Sequence, residues 1–191
     1  MRLIALAVVL GTTLALPAFA QTSGSTGSPP RPPAATTPPT TALSAQDMKF
    51  ANMAAAGGMA EVEEGKLAQQ KATNSAVKDF ARKMVDDHSK ANAKLTSIAQ
   101  AKNIKLPSSI GDEHKKTLSD LHGKRGADFD RAYVMSEIDD HKATIQLFEE
   151  QSRSGQDADL KAFATETLPT LKQHLAMVEK LGTQVQVGQR K

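Results

Sequence analysis

Apolar residues in this chain recur at alternating steps of three and four in four separate stretches, the spacing of helices that bury one stripe against neighbours. Val77, Ala81, Met84, His88, Ala91, Leu95 and Ile98 make one such seam, and Val134, Ile138, His141, Ile145 and Phe148 make another. Leu160, Ala164, Thr167, Leu171, His174, Val178 and Leu181 form a third, and Ala51, Ala54, Gly58, Glu61, Gly65 and Ala68 a fourth. Each seam carries one side chain inside it that is polar and able to bind a metal. Three are histidines and one is a glutamate.

Punctuation between the seams predicts the elements. Ser44 caps a first helix from Ala45 to Lys71, Thr73-Asn74-Ser75 turns the chain and caps a second from Ala76 to Lys102, and so short a turn makes the pair antiparallel. The Ala54 to Gly58 segment leaves one side of the first helix nearly smooth, as close approach of a neighbouring backbone requires. Asn103 to Ile110 reads as a loop and Asp112 to His122 as a short amphipathic helix with Leu118 and Leu121 inward. A third long helix starts near Asp128, read as its cap, and ends at Gly155, read as a left-handed C-terminal residue. A fourth covers Ala158 to Leu181, stops before Gly182 and is bent by Pro169. VKDFARKM from Val77 echoes LKAFATET from Leu160, as two related hairpins would. The fold class is therefore all-α, an antiparallel four-helix bundle of the ferritin-like kind made of two hairpins with a short helix in the crossover.

The ends are of other character. Residues 1–20 combine Arg2, an apolar run, Pro17 and the small-residue ending Ala18-Phe19-Ala20, the pattern of a secretory signal peptide cleaved before Gln21. Residues 21–43 are rich in Pro, Thr and Ser and read as a disordered linker. The bundle spans 44–182, and 183–191 form a flexible tail. Such a chain is exported, with the periplasm as its destination and no transmembrane segment once processed. The absence of cysteine excludes disulfides and thiolate ligands.

Composition narrows the chemistry further. A net charge of +3 spread among many acids, with no Trp and one Tyr, offers neither a basic face nor a stacking platform for nucleic acid. No nucleophile elbow or phosphate-cradling glycine loop is present. The methionines read as gap-filling core.

The candidate site follows from helix geometry. Glu61 and His88 lie at nearly equal distances from the turn that joins their helices, within roughly 3 Å at 1.5 Å per residue. His174 falls between Glu137 and His141, which stand one turn apart on the same helix. Glu61, His88, Glu137, His141 and His174 are therefore the candidate ligands of a transition metal: zinc, iron, manganese or copper(II) rather than calcium. Glu64 is read as a further ligand or a solvated charge. Asp87 and Asp140, facing grooves between helices, are carboxylates that could orient a ligating ring. His114 and His122 read as solvated. A metal-free network in which Glu61 satisfies the histidines stays open beside the metal reading.

The segments GGMAEVEEGKLAQQKATNSAVKDFARKMVDDHSKANAKL, FDRAYVMSEIDDHKATIQLFEEQSRSG and DLKAFATETLPTLKQHLAMVEKL resemble an exported bacterial ferritin-like family, catalogued as a domain of unknown function and often labelled outer membrane protein. The likeness runs from about Ala45 to Leu181 and implies a ferritin-like bundle without an assigned activity. The chain lacks the alternating strands of an outer-membrane barrel. It also departs from the Glu-x-x-His pattern of di-iron bundles, since Glu137 stands four residues before His141 and neither His88 nor His174 has a Glu three before it. A single histidine-rich centre fits better than a carboxylate-bridged pair of irons. Two functions follow: metal binding for storage, buffering or redox work, or a metal-free envelope protein whose helix surfaces bind a partner.

Overall fold

The computed structural model describes residues 43–187. The expected signal peptide, nearly all of the expected linker and the last residues of the expected tail lie outside them. The described residues form five helices and no strand: α1 Ala45–Lys71, α2 Ser75–Ala101, α3 Gly111–His122, α4 Gly126–Ser154 and α5 Ala158–Val187.

The four long helices touch in a cycle, α1 with α2, α2 with α5, α5 with α4 and α4 with α1. Neighbours run in opposite directions. Gly58 of α1 faces Asn92 while Gly65, further on, faces Val85, further back. In the same sense Lys94 pairs with Glu166 and Asp87 with His174 between α2 and α5. A Cβ on Gly65 would stand 2.9 Å from Val85 Cγ2 and 3.2 Å from the Ala81 carbonyl oxygen, so the smooth side of α1 does receive a close neighbour.

Each end of the assembly has its own apolar cluster. Phe50, Ala54, Leu95, Ile145, Phe148, Leu160, Phe163 and Leu171 pack at one end, where Phe50 meets Phe148 edge to face at 4.9 Å between centroids. Leu67, Val77, Phe80, Met84, Tyr133, Val134, Ile138 and Val178 pack at the other. Burying each large side chain stabilises the fold by about 1.5–3 kcal/mol, and every seam histidine lies between its helix's contributions to the two clusters. Met84 is core as expected, but Met48, Met53 and Met135 are exposed because they fall off the buried stripe of their helices.

Two acids clasp the turns. Asp47 at the start of α1 accepts hydrogen bonds from Gln151 Nε2 at 2.6 Å and from the backbone N–H groups of Gln156 and Asp157, in the turn between α4 and α5. Asp130 of α4 accepts from Thr73 N, Thr73 Oγ1 and Asn74 N, in the turn between α1 and α2. Each hairpin's turn is thus held by a carboxylate from the other hairpin.

Ser44 and Asn74 cap α1 and α2 as expected. Three boundaries differ. The α4 helix begins at Gly126, whose φ of +57° suits glycine, and Asp128 lies inside the first turn, paired with Arg131. Gly155 is extended, with φ −57° and ψ 139°, rather than left-handed. Glycine is needed there for room, since a Cβ would stand 2.3 Å from Gln151 Nε2. The α5 helix continues through Gly182, where a Cβ would crowd Ile138 Cδ1 at 3.2 Å, and Pro169 stands inside it without ending it.

Candidate metal centre

Between the two apolar clusters lies a polar layer to which every long helix contributes: Glu61 and Glu64 from α1, His88 from α2, Glu137 and His141 from α4, His174 from α5. All six are at least nine-tenths buried. Buried polar groups destabilise a fold unless they find partners, so the hydrogen bonds of this layer decide what it can hold.

The three imidazoles form a near-equilateral triangle, with centroids 5.8 Å apart for His88 and His141 and 5.5 Å for the other two pairs. One ring nitrogen from each lies within 4.8 Å of the others. The second nitrogens fix the proton positions. His141 Nδ1 donates to the Glu137 backbone carbonyl at 2.8 Å, and His174 Nε2 donates to Asp87 Oδ2 at 2.9 Å. A carbonyl and a carboxylate can only accept, so both hydrogens are spoken for in the neutral rings. His141 Nε2 and His174 Nδ1 then face one another as lone pairs, 3.4 Å apart. His88 adds a buried Nε2 without a partner. Nitrogens bound tetrahedrally to one zinc at 2.0–2.1 Å stand about 3.4 Å apart.

A shared proton is a poor substitute for a metal here. Burial first, then the two other rings, hold His88 down to about 3, and burial holds His141 down to about 4. Burial also lowers His174, against the pull of Asp87. Against the upward push of burial, bonds from Lys83 and His174 keep the Asp87 carboxyl below its ordinary value, and Lys83 Nζ lies 2.8 Å away. Asp87 was expected to orient a ring. It does so across the α2–α5 interface, on His174 rather than on its neighbour His88.

The glutamates gather at the other edge of His141. Glu61 Oε1 lies 3.8 Å and Glu137 Oε2 3.5 Å from His141 Nδ1, and Glu61 Oε2 and both Glu137 oxygens lack hydrogen-bond partners. Burial pushes both carboxyls up, and their mutual proximity adds to the push on Glu61. The Tyr133 hydroxyl beside them is raised too, by burial and then by Glu137 and Glu61. A neutral imidazole has one lone pair, and His141 points it away from this pair. The five candidate ligands therefore fall into two sets that share His141, the three rings and the group Glu61, Glu137 and His141, each with one ligand atom per residue within 4.8 Å of the others. Glu61 and His88 line one cavity, as a shared level requires, Glu61 also approaches His141 across α1 and α4, and His174 meets His141.

Beside the triangle opens a cavity of about 40 Å³, lined among others by Gly58, Glu61, His88, Asn92, Thr167 and His174. It has room for a water or another very small molecule. Gly58 makes room for the wall, since a Cβ would overlap Asn92 Oδ1 at 2.1 Å.

Glu64 is not solvated: it is 1% exposed with Oε1 unpartnered, and burial, then Glu61 and Asp140, push it up to about 8. His122 is exposed as expected, but His114 is half-buried and approaches α1 over Gly57. Asp140 orients no ring of the triangle; its Oδ2 lies 3.4 Å from Ser136 Oγ.

A family model described as a domain of unknown function, DUF4142, matches residues 32–181. No curated protein and no solved structure matches the chain. None of the described helices is long and apolar enough to cross a membrane.

Proposed function

The chain belongs to the DUF4142 family, and from that premise we propose an exported, ferritin-like four-helix bundle that binds one transition-metal ion through His88, His141 and His174. The observation that carries the reading is the pair of opposed lone pairs on His141 and His174, 3.4 Å apart with their hydrogens committed elsewhere. A cation on that axis satisfies both and gives the unpartnered His88 Nε2 a role. Three neutral imidazoles suit zinc, iron, manganese or copper(II). Asp87 supplies the carboxylate that orients a ligating ring, and the adjoining cavity leaves a fourth position for water or a small ligand. Storage, buffering and chemistry at the open position all remain within the reach of such a centre. Export rests on the sequence of residues 1–20, and N-terminal sequencing of the secreted chain, expected to begin at Gln21, tests it.

A metal-free envelope protein is the second reading, favoured by the bonds that already satisfy one nitrogen of His141 and one of His174. Elemental analysis of protein purified without chelator separates the two. Metal near one equivalent, with a melting temperature that drops on chelation and recovers on adding metal back, supports the first. No metal and no response to added zinc, iron, manganese or copper supports the second.

A further inference from the structure

One turn outward from the triangle, three helices bring together a second donor set. Glu64 of α1, His114 of α3 and Asp140 of α4 each place one ligand atom within 4.8 Å of the other two. The set has its own orphan: Glu64 is 1% exposed, and its Oε1 has no hydrogen-bond partner. Carboxylates crowd the place. Burial, then Glu61, Asp140 and Glu63, push Glu64 up, and burial, Glu113 and Asp139 push Asp140 up against His114 and the Ser136 hydroxyl. Excess negative charge around a buried, unbonded oxygen is what a divalent cation relieves.

The third donor comes from the short crossover helix. The α3 helix packs on α1 and α4 through the buried Leu121, while His114, a half-buried residue two turns earlier, crosses above Gly57. The ring lies close against α1 there, since a Cβ on Gly57 would stand at ordinary contact distance, 3.9 Å, from His114 Nε2. Oxygen and nitrogen ligands at about 2.0–2.2 Å stand roughly 3–3.5 Å apart, so binding draws the set inward wherever a pair now stands further apart, up to 4.8 Å. A side-chain adjustment of His114 covers the difference.

We propose that Glu64, His114 and Asp140 form a second, shallower site for a divalent transition-metal ion, separate from the imidazole triangle, and that the ion latches α3 onto α1 and α4. Two carboxylates and one imidazole, completed by water, suit zinc, manganese or iron(II). The site shares no ligand with the triangle, so the two fill independently.

The test is calorimetric titration of the full processed chain, stripped by chelator, with zinc alone. A tight and a weaker class of site are expected. His114→Ala and, separately, Asp140→Asn remove the weaker class and leave the tight one, whereas His88→Gln removes the tight class and leaves the weaker. Amide exchange over residues 111–122 slows with zinc in the unmodified chain and in His88→Gln, but does not respond in His114→Ala. A histidine that merely packs would raise exchange equally with and without zinc. Unchanged isotherms in His114→Ala and Asp140→Asn overturn the proposal, as does loss of both classes in either variant while circular dichroism stays native. A chain that shows only the weaker class retains this proposal and rejects the imidazole centre.

Discussion

His141 Nε2 and His174 Nδ1 confront each other at 3.4 Å across the α4–α5 interface, and neither has a hydrogen to give. The proposed metal would answer both lone pairs, and removing either ring removes the reason for it. His174→Gln is expected to lower zinc affinity by more than about 100-fold, beyond the 10–100-fold that loss of an orienting group produces. The metal-free protein loses little, because the substitution also dissolves the opposed lone pairs. Competition against a chromophoric chelator, alongside melting curves of both apo proteins, measures the two effects.

Asp87 holds His174 by its far nitrogen and is itself held by Lys83. Asp87→Asn keeps the shape but weakens the acceptor and frees the ring, so affinity is expected to fall about 10–100-fold. Metal stoichiometry should stay as in the unmodified chain. Loss of stoichiometry in a folded Asp87→Asn variant would make the aspartate a ligand rather than an orienting group.

The pH dependence of the apo protein has two arms of opposite sign. His88 and His141 titrate at about 3 and about 4 in the fold, against an ordinary 6.5, so the unfolded chain takes up protons first on acidification. Their contribution is complete above 6.5 and drains as pH falls toward 4 and 3. Glu64 is raised to about 8 from 4.5, so the unfolded chain ionises first as pH rises, and stability drains from 4.5 up to 8. Glu137, also raised to about 8, and Glu61, pushed up by burial, drain stability in the same direction, so Glu64→Gln removes only its own share of that second arm. Between about pH 6.5 and 8 the melting temperature of the apo protein is expected to fall by about 3–5 °C per kcal/mol lost, and to fall less steeply in Glu64→Gln.

Asp130 accepts from Thr73 N, Thr73 Oγ1 and Asn74 N, and a charged acceptor makes each bond stronger than a neutral one. Asp130→Ala leaves those donors in a half-buried turn without a partner, at a cost of about 2–4 kcal/mol. Urea unfolding reads this as a lower midpoint with an unchanged slope.

Alanine normally improves a helix interior over glycine by about 1 kcal/mol. Gly65→Ala reverses the sign, because the new methyl meets Val85 Cγ2 at 2.9 Å and the Ala81 carbonyl at 3.2 Å. A net loss of about 1–3 kcal/mol is expected from forcing α1 and α2 apart. The same urea measurement checks it, and a gain would mean that Val85 rotates away without strain.

The seams were legible because a helical period names the buried face, and each histidine interrupts that face where it would otherwise be apolar. The period does not say toward which neighbour a ring turns, so the sequence could collect five ligands but not divide them between the two edges of His141. Asp87 shows the same limit: its groove was foreseen, but the ring on the far side belongs to α5. Two side chains were open to a fuller reading than His114 as solvated and Glu64 as either a further ligand or a solvated charge. His114 stands four residues before Leu118 and seven before Leu121, on the inward stripe of α3, and Glu64 follows Glu61 by three on a helix packed against both α2 and α4. Cap residues misled where glycine served space or backbone freedom, as at Gly155 and Gly126.

Asp47 and Asp130 exchange places between the halves of the chain, and the exchange makes each half unable to finish itself. Cleavage in the 103–110 connection would leave two fragments, each with a turn whose amide donors go unanswered. Mixed together, they are expected to recover helicity that neither has alone, so interdependence of the halves, rather than the continuous backbone, is what makes this fold one piece.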